Sequence, residues 1–149
     1  MIFLINEYEE VFLFSKSPNK WAVVSGAIEA NETVLESAYR ELHEEVGENI
    51  KVSPIGVAHT HTFHYDQYVH NMISIFYVMR FESGEIIPGD DEKNSKYDWW
   101  SLLEIRKRID EVVIPKQQYW MFERAVWLFK KYKEEAPPFE YYVENYQDV

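Results

Sequence analysis

The chain has 149 residues, no cysteine and a formal net charge of −11. The length suits one domain, and the lack of cysteine excludes disulfides, thiolate metal sites and a thiol nucleophile. The acidic balance argues against broad binding to DNA or RNA, and no apolar run is long enough to cross a membrane. The composition therefore predicts a cytoplasmic protein that binds neither nucleic acid nor membrane.

Three short apolar runs open the chain. Residues 2–5 and 11–14 predict two strands joined as a hairpin, because both runs are rich in β-forming residues. Residues 15–19 contain a proline and predict a loop. Residues 21–24 predict a third strand, which leads directly into Ser25 and Gly26.

A short amphipathic helix is predicted over residues 34–46. Thr33 and Glu36 have the spacing of a capping box, in which a hydroxyl and a carboxylate satisfy the first backbone N–H groups. Gly47 suits the position that ends a helix. The apolar stripe of this helix consists of Leu35, Ala38, Leu42 and Val46.

Three glutamates lie beside this stripe. Glu41, Glu44 and Glu45 stand at positions i, i+3 and i+4, so their carboxylates share one side of the helix. Like charges at this spacing repel each other, and the helix needs either full solvation or a cation to carry them. Hard divalent ions such as Mg2+ take oxygen ligands of this kind, although an isolated glutamate face is more often simply solvated.

The glutamates belong to a longer pattern. Gly26, Glu32 and residues 40–47 follow the spacing G-x5-E-x7-R-E-L-x-E-E-x-G. This pattern resembles the signature of the Nudix (MutT-like) hydrolases, which cleave diphosphate linkages in nucleoside diphosphates attached to another group. The chain departs from the family at the last apolar position, where it has Glu48, and in the entry loop, where Ser25 precedes the motif glycine.

The resemblance implies both a fold and a metal site. The fold would be an α/β/α sandwich with a mixed β-sheet, in which the motif forms a loop-helix-loop. The metal ligands would be Glu41, Glu44, Glu45 and the carbonyl of Gly26, and the ion would be Mg2+, with Mn2+ as the alternative. Family members act on small nucleotides.

The resemblance also implies roles in catalysis. Arg40 and Glu32 would brace the motif, and a carboxylate would deprotonate the attacking water. Glu44 and Glu45 are the first candidates for this base, with Glu41 as a third. Some family members instead take the base from the loop before the last strand, whose acidic residues here are Asp90, Asp91, Glu92 and Asp98.

The second half of the chain predicts further strands and two helices. Residues 50–63, 68–81 and 97–100 are strand-like, and residues 102–109 predict a short helix. Pro115 suits the first turn of a long helix over residues 116–134. We therefore expect a Nudix domain over residues 1–136, followed by an acidic tail over residues 137–149 that packs on the domain or on a partner subunit.

Four residues outside the motif are candidates for substrate binding. His59 and His61 alternate along a strand and share one face, where they would either donate hydrogen bonds to a substrate or be ordinary sheet histidines. Tyr65 lies where dinucleoside polyphosphate hydrolases often have a tyrosine. Trp99 and Trp100 are adjacent in a strand, so one would enter the core and the other, taken as Trp99, a pocket.

The leading functional hypothesis is Mg2+-dependent hydrolysis of a nucleoside triphosphate, with the chain as a monomer or homodimer. The alternative within the enzyme class is a diadenosine tetraphosphate hydrolase, which Tyr65 favours. The alternative from another class is a Nudix-fold regulator that binds a nucleotide without catalysis, although the motif keeps all of its charged residues.

Overall fold

A computed structural model of the chain describes residues 1–64, 67–68, 72–89 and 95–133. These residues form one mixed sheet with helices on both faces, which confirms the predicted α/β sandwich. The strands are β1 (Ile2–Ile5), β2 (Val11–Ser17), β3 (Lys20–Ala22), β4 (Lys51–Phe63), β5 (Met72–Ser83), β6 (Lys96–Trp100) and β7 (Val112–Ile114). The helices are α1 (Val34–Glu45), α2 (Leu102–Lys107) and α3 (Tyr119–Lys131), with a 3-10 turn at Ile109–Glu111.

The strand order across the sheet is β4-β5-β1-β2-β3-β7, and β6 pairs with β2. The pairs β1–β5 and β3–β7 are parallel, and the other pairs are antiparallel. The predicted β1–β2 hairpin is confirmed by the antiparallel pairing of Ile5 with Val11. This order brings β1 to the middle of the sheet.

Strand β1 supplies side chains to both hydrophobic layers. Ile2 and Leu4 face α1, whereas Phe3 and Ile5 face α3. All four side chains are almost completely buried, as expected for a strand covered on both faces. The four residues therefore connect two cores that would otherwise be separate layers.

Helix α1 forms where the sequence predicts it. Thr33 accepts a hydrogen bond from the Glu36 N–H, and the Glu36 side chain accepts one from the Thr33 N–H, which completes the capping box. The last helical residue is Glu45, Val46 is the cap, and Gly47 follows with a φ of +147°. The buried stripe of the helix turns the glutamates away from the core.

Several predicted boundaries differ from those of the structure, and two of them bear on the sheet. Strand β2 continues to Ser17, inside the predicted loop, because Ser17 pairs with Lys20 of β3. The predicted long helix begins at Tyr119 and not at residue 116, and Pro115 is not in its first turn. An unpredicted strand, β7, precedes this proline and pairs with β3, so sheet pairing extends the chain where a helix start was expected.

None of the helices in the described ranges is long and apolar enough to cross a membrane; α3, with 13 residues, is the longest of them. The predicted tail at residues 137–149 lies outside the described residues, so its boundary stays a prediction.

Candidate active site

The turn at Ser25 and Gly26 lies against the carboxylates of α1. The Ser25 N–H donates a hydrogen bond of 3.1 Å to Oε2 of Glu45. A Cβ atom placed on Gly26 would lie 1.8 Å from Cδ of Glu41, far inside contact distance. Gly26 therefore leaves the space that the Glu41 carboxylate occupies, and two of the three motif glutamates meet one turn of backbone.

Arg40 braces this arrangement from the other side. Its guanidinium donates to Oε1 of Glu32 at 2.8 Å, to Oε1 of Glu41 at 2.8 Å and to Oε2 of Glu44 at 3.3 Å. It also donates to the carbonyl of Ala27 at 2.9 Å, which ties the loop to the helix. These contacts give Arg40 the geometry of a positioning residue.

Arg40 and the carboxylates that it contacts stabilise one another in their charged forms. The hydrogen bond to the Glu32 carboxylate is the main cause that raises the pKa of Arg40 above its ordinary value, and the hydrogen bond to Glu41 adds to it. The hydrogen bond from Arg40 lowers the pKa of Glu32. Both groups therefore stay charged at neutral pH, and the loop before α1 is held by a charged pair.

Glu44 differs from its two neighbours. Its side chain is 59% exposed and its carboxylate is turned toward Arg40. Within the described ranges, no group of three or more histidine, aspartate or glutamate side chains converges as a preformed cation site. Glu41 and Glu44 both contact Arg40, so a cation would have to compete with its guanidinium for their oxygens.

The donor set nevertheless suits a hard divalent cation. It offers carboxylate oxygens and a glycine turn without a side chain, and it contains neither sulfur nor imidazole. Glu41 and Glu45 already lie beside the Ser25–Gly26 segment, and Glu44 would have to approach them. We conclude that these residues fit a cation such as Mg2+ or Mn2+.

A cavity of about 630 Å³ opens beside this turn. Gly26 and Glu41 form one edge of the cavity, and Ser37 adds a hydroxyl. The remaining wall is mainly apolar and includes Ile28, Val34, Phe63, Met72, Ile73 and Ile75. The cavity thus joins the carboxylates to a surface that suits a ring or another apolar group.

His59 and His61 line a different cavity, of about 410 Å³, on the α3 side of the sheet. Their ring centroids are 5.4 Å apart, and the ring of Trp120 meets His59 edge-on at 4.9 Å. Burial is the main cause that lowers the pKa of His59, and the nearby His61 and Arg124 lower it further. The ring is therefore neutral at pH 7. Met1 lines both cavities, which are therefore neighbours.

Comparison with known proteins decides the family. The sequence model of the NUDIX domain matches residues 1–121. The chain belongs to the Nudix family. It is therefore a pyrophosphohydrolase, and the members of its family act on small nucleotides and generally use divalent metal ions. No curated protein matches the chain at a significant level.

Solved structures share the Nudix fold at low sequence identity. A NUDIX-family hydrolase from Clostridium perfringens is 22% identical over 86% of this chain and 94% of its own, with a TM-score of 0.66. A NUDIX hydrolase from Nitrosomonas europaea is 15% identical over 95% of both chains, with a TM-score of 0.60. A possible asymmetric diadenosine tetraphosphate hydrolase from Jonesia denitrificans is 16% identical over 85% and 90% of the two chains, with a TM-score of 0.62.

Trp99 packs against the hydrophobic cluster of α1, but it lines neither of the two cavities described above. Trp100 is in the core, whereas Trp99 is half-buried between Phe12 and Phe81 and lines a third cavity, of about 540 Å³. Asn6 and Arg80 share that cavity, and no residue of the motif does. We therefore leave Trp99 out of the proposed substrate site.

Of the remaining candidate residues, only Asp98 lies in the part of the chain that the structure describes. Asp98 is exposed on β6, and its carboxylate accepts a hydrogen bond from the Trp99 N–H. Tyr65, Asp90, Asp91 and Glu92 lie outside the described residues, so their roles stay predictions.

Sequence reasoning missed the backbone partners of the site. The Ser25 N–H, the Ala27 carbonyl and the Gly89 N–H each contact the motif. Backbone groups carry no side-chain signal, so the sequence pattern offers nothing that would have identified them.

Proposed function

We propose that this Nudix hydrolase uses Mg2+ to hydrolyse a diphosphate linkage in a small nucleotide, with nucleoside triphosphates as the leading substrate class. The observation that carries the proposal is the placement of Glu41 and Glu45 against the Ser25–Gly26 turn, beside an open cavity. An acidic, oxygen-rich site in this position would hold a cation within reach of a phosphate chain. The small cavities suit a nucleotide better than a polymer.

Four groups would hold the cation: the carboxylates of Glu41, Glu44 and Glu45, and the carbonyl of Gly26. A bound Mg2+ would neutralise the charge that develops on the phosphate oxygens, and Mn2+ would serve in its place. Glu44 or Glu45 would take the proton from the attacking water. Arg40 would keep Glu41 and the loop before α1 in position through its contacts with both.

The cavity lined by His59 and His61 would receive the nucleobase. Trp120 offers an aromatic edge there, and a neutral His59 presents one N–H donor and one ring nitrogen acceptor. Contact between a base and an aromatic ring is worth roughly 1–3 kcal/mol. Binding at this end would leave the phosphates near Met1, which lies between the two cavities.

Diadenosine tetraphosphate is the second candidate substrate. The cavity beside Glu41 supports it, because its apolar wall offers a place for a second ring that a nucleoside triphosphate lacks. A regulator that binds without catalysis ranks below both, since Gly26, Glu32, Arg40 and the three glutamates are all present.

The experiment separates the nucleotide products of a substrate panel by chromatography, with Mg2+, with Mn2+ and with chelator, and also measures pyrophosphate release from the triphosphates. The panel contains nucleoside triphosphates, diadenosine tetraphosphate, ADP-ribose and a nucleotide sugar. We expect metal-dependent cleavage of one class, with triphosphates first. A folded protein that binds Mg2+ and cleaves nothing in the panel would contradict the proposal.

A further inference from the structure

Residues 85–89, called the strap here, cross the C-terminal end of α1. The Ile87 N–H donates to the carbonyl of Val46 at 2.9 Å, and the Gly89 N–H donates to the carbonyl of Glu44 at 3.0 Å. The last carbonyls of a helix have no partner within the helix itself. The strap therefore supplies partners for the turn that carries Glu44 and Glu45, although it lies more than 40 residues further along the chain.

This turn needs outside support. Glu41, Glu44 and Glu45 repel one another, and they stand at the helix end where the macrodipole already places negative charge. Helix ends are also where local unfolding begins most easily. The segment that carries the proposed cation ligands is thus the part of α1 least able to stay helical by itself.

Gly89 meets the turn too closely for any other residue. A Cβ atom at position 89 would lie 2.6 Å from the Glu44 carbonyl oxygen, so a side chain would push the strap away from the helix. The neighbouring Pro88 has no N–H and donates no bond to the turn. A substitution at Gly89 therefore disturbs the contact with Glu44, whereas a substitution at Pro88 changes the strap without removing that contact.

We propose that Gly89 is a positioning residue, whose N–H bond to the Glu44 carbonyl holds the last turn of α1 ready to bind the cation. The inference rests on the proposed metal-dependent function. The strap would position Glu44 and Glu45 by holding their backbone, and it would not touch the substrate. The strap should therefore change cation affinity and leave nucleotide affinity alone.

The test compares Gly89→Ala with Pro88→Ala, each as the full chain. Without metal, we expect Gly89→Ala to speed hydrogen exchange at the amides of Val46 and Gly47, which bond to the Leu42 carbonyl, and to leave the amides of β1 unchanged. The Mg2+ concentration that gives half of the thermal stabilisation should rise about 10-fold, as for other partners that orient metal ligands. Pro88→Ala should match the wild-type protein in both measurements.

Activity gives a third reading. For Gly89→Ala, kcat should fall at low Mg2+ and recover at high Mg2+, because cation binding restores the turn, while KM for the nucleotide stays unchanged. Wild-type exchange at Val46 together with a wild-type Mg2+ midpoint would overturn the inference. Faster exchange that extends to β1 would also overturn it, because the effect would then be global.

Ile87→Pro covers the case in which Gly89→Ala does not fold. It removes the N–H that bonds to Val46 and puts a proline ring against the Val46 carbonyl, which displaces the strap and with it the Gly89 contact, so the same shifts should appear. Absence of Mg2+ binding in the wild-type protein would instead contradict the proposed function. The exchange data would still decide whether the strap holds the turn.

Discussion

The motif on α1 and the cavity lined by His59 lie on opposite faces of one sheet and are built in opposite ways. The motif uses residues 26–47, and its contacts are mainly charged hydrogen bonds among neighbours in sequence. The cavity is aromatic and collects His59 from β4, Gln118 from the loop after β7 and Trp120 from α3. In our proposal, the motif supplies the groups for chemistry, whereas the cavity lined by His59 supplies the groups that recognise the substrate.

This contrast predicts two kinds of mutant. Changes in the motif should lower kcat and cation affinity, and changes in the cavity should raise KM with little effect on kcat. The following substitutions test whether the two effects separate in this way.

The largest effect is expected for Glu45→Gln. The substitution removes the charge of a proposed ligand or base but keeps its size, so kcat should fall by about 100-fold or more while the protein folds normally. Steady-state kinetics at saturating Mg2+ measure this, with Glu48→Gln at the exposed neighbouring position as the control. Turnover close to wild type in the purified Glu45→Gln protein would contradict the catalytic role proposed for the motif.

Gly26→Ala should have the next largest effect. The new methyl group would occupy the place of the Glu41 carboxylate and displace it, so cation affinity should fall by about 10-fold to 100-fold. A Mg2+ titration followed by thermal unfolding measures the shift. Ser25→Ala is the control, because it keeps the backbone N–H that donates to Glu45. Equal Mg2+ midpoints in the two variants would refute the role given to this glycine.

His59→Ala should act on binding alone. Loss of one hydrogen bond of about 1 to 1.5 kcal/mol would raise KM roughly 5-fold to 10-fold and leave kcat nearly unchanged. His64→Ala is the matched control, since His64 is exposed and lines none of the three cavities described above. A fall in kcat at unchanged KM would show that the two faces do not divide the work as we propose.

The smallest effect concerns pH. Burial keeps the pKa of His59 below 6.5, its ordinary value, so the unfolded chain binds more protons than the folded chain just below that pH. The free energy of unfolding should therefore decrease as pH falls from about 6.5 toward the folded-state pKa. Urea titrations between pH 7 and pH 5 measure the slope, and His59→Gln should reduce it. An unaltered slope in that variant would assign the pH dependence to other groups.

The sequence predicted the motif helix well because its signals are local. The capping box, the apolar stripe and the glutamate spacing all lie within one short segment, and the structure has the helix end within one residue of the predicted position. Strand β7 and the strap could not be predicted in this way. Both depend on backbone pairing between distant segments, with β3 for the strand and with α1 for the strap.

The cavity residues show the same limit. The alternation of His59 and His61 correctly predicted a shared face, yet only the fold shows that Trp120 lies against it. For Trp99 and Trp100, alternation predicted that they would point to opposite sides. It could not say which cavity Trp99 would enter, because that depends on the pairing of β6 with β2.

Strand β1 has a consequence for protease resistance. Its alternate residues fill both hydrophobic cores, so opening the α1 layer would expose Ile2 and Leu4, and opening the α3 layer would expose Phe3 and Ile5. Because β1 belongs to both cores, a nucleotide that binds only the folded chain should slow cleavage in α3 as well as in α1. The two faces of the sheet would have different roles in the reaction, and yet a bound nucleotide would protect both from protease.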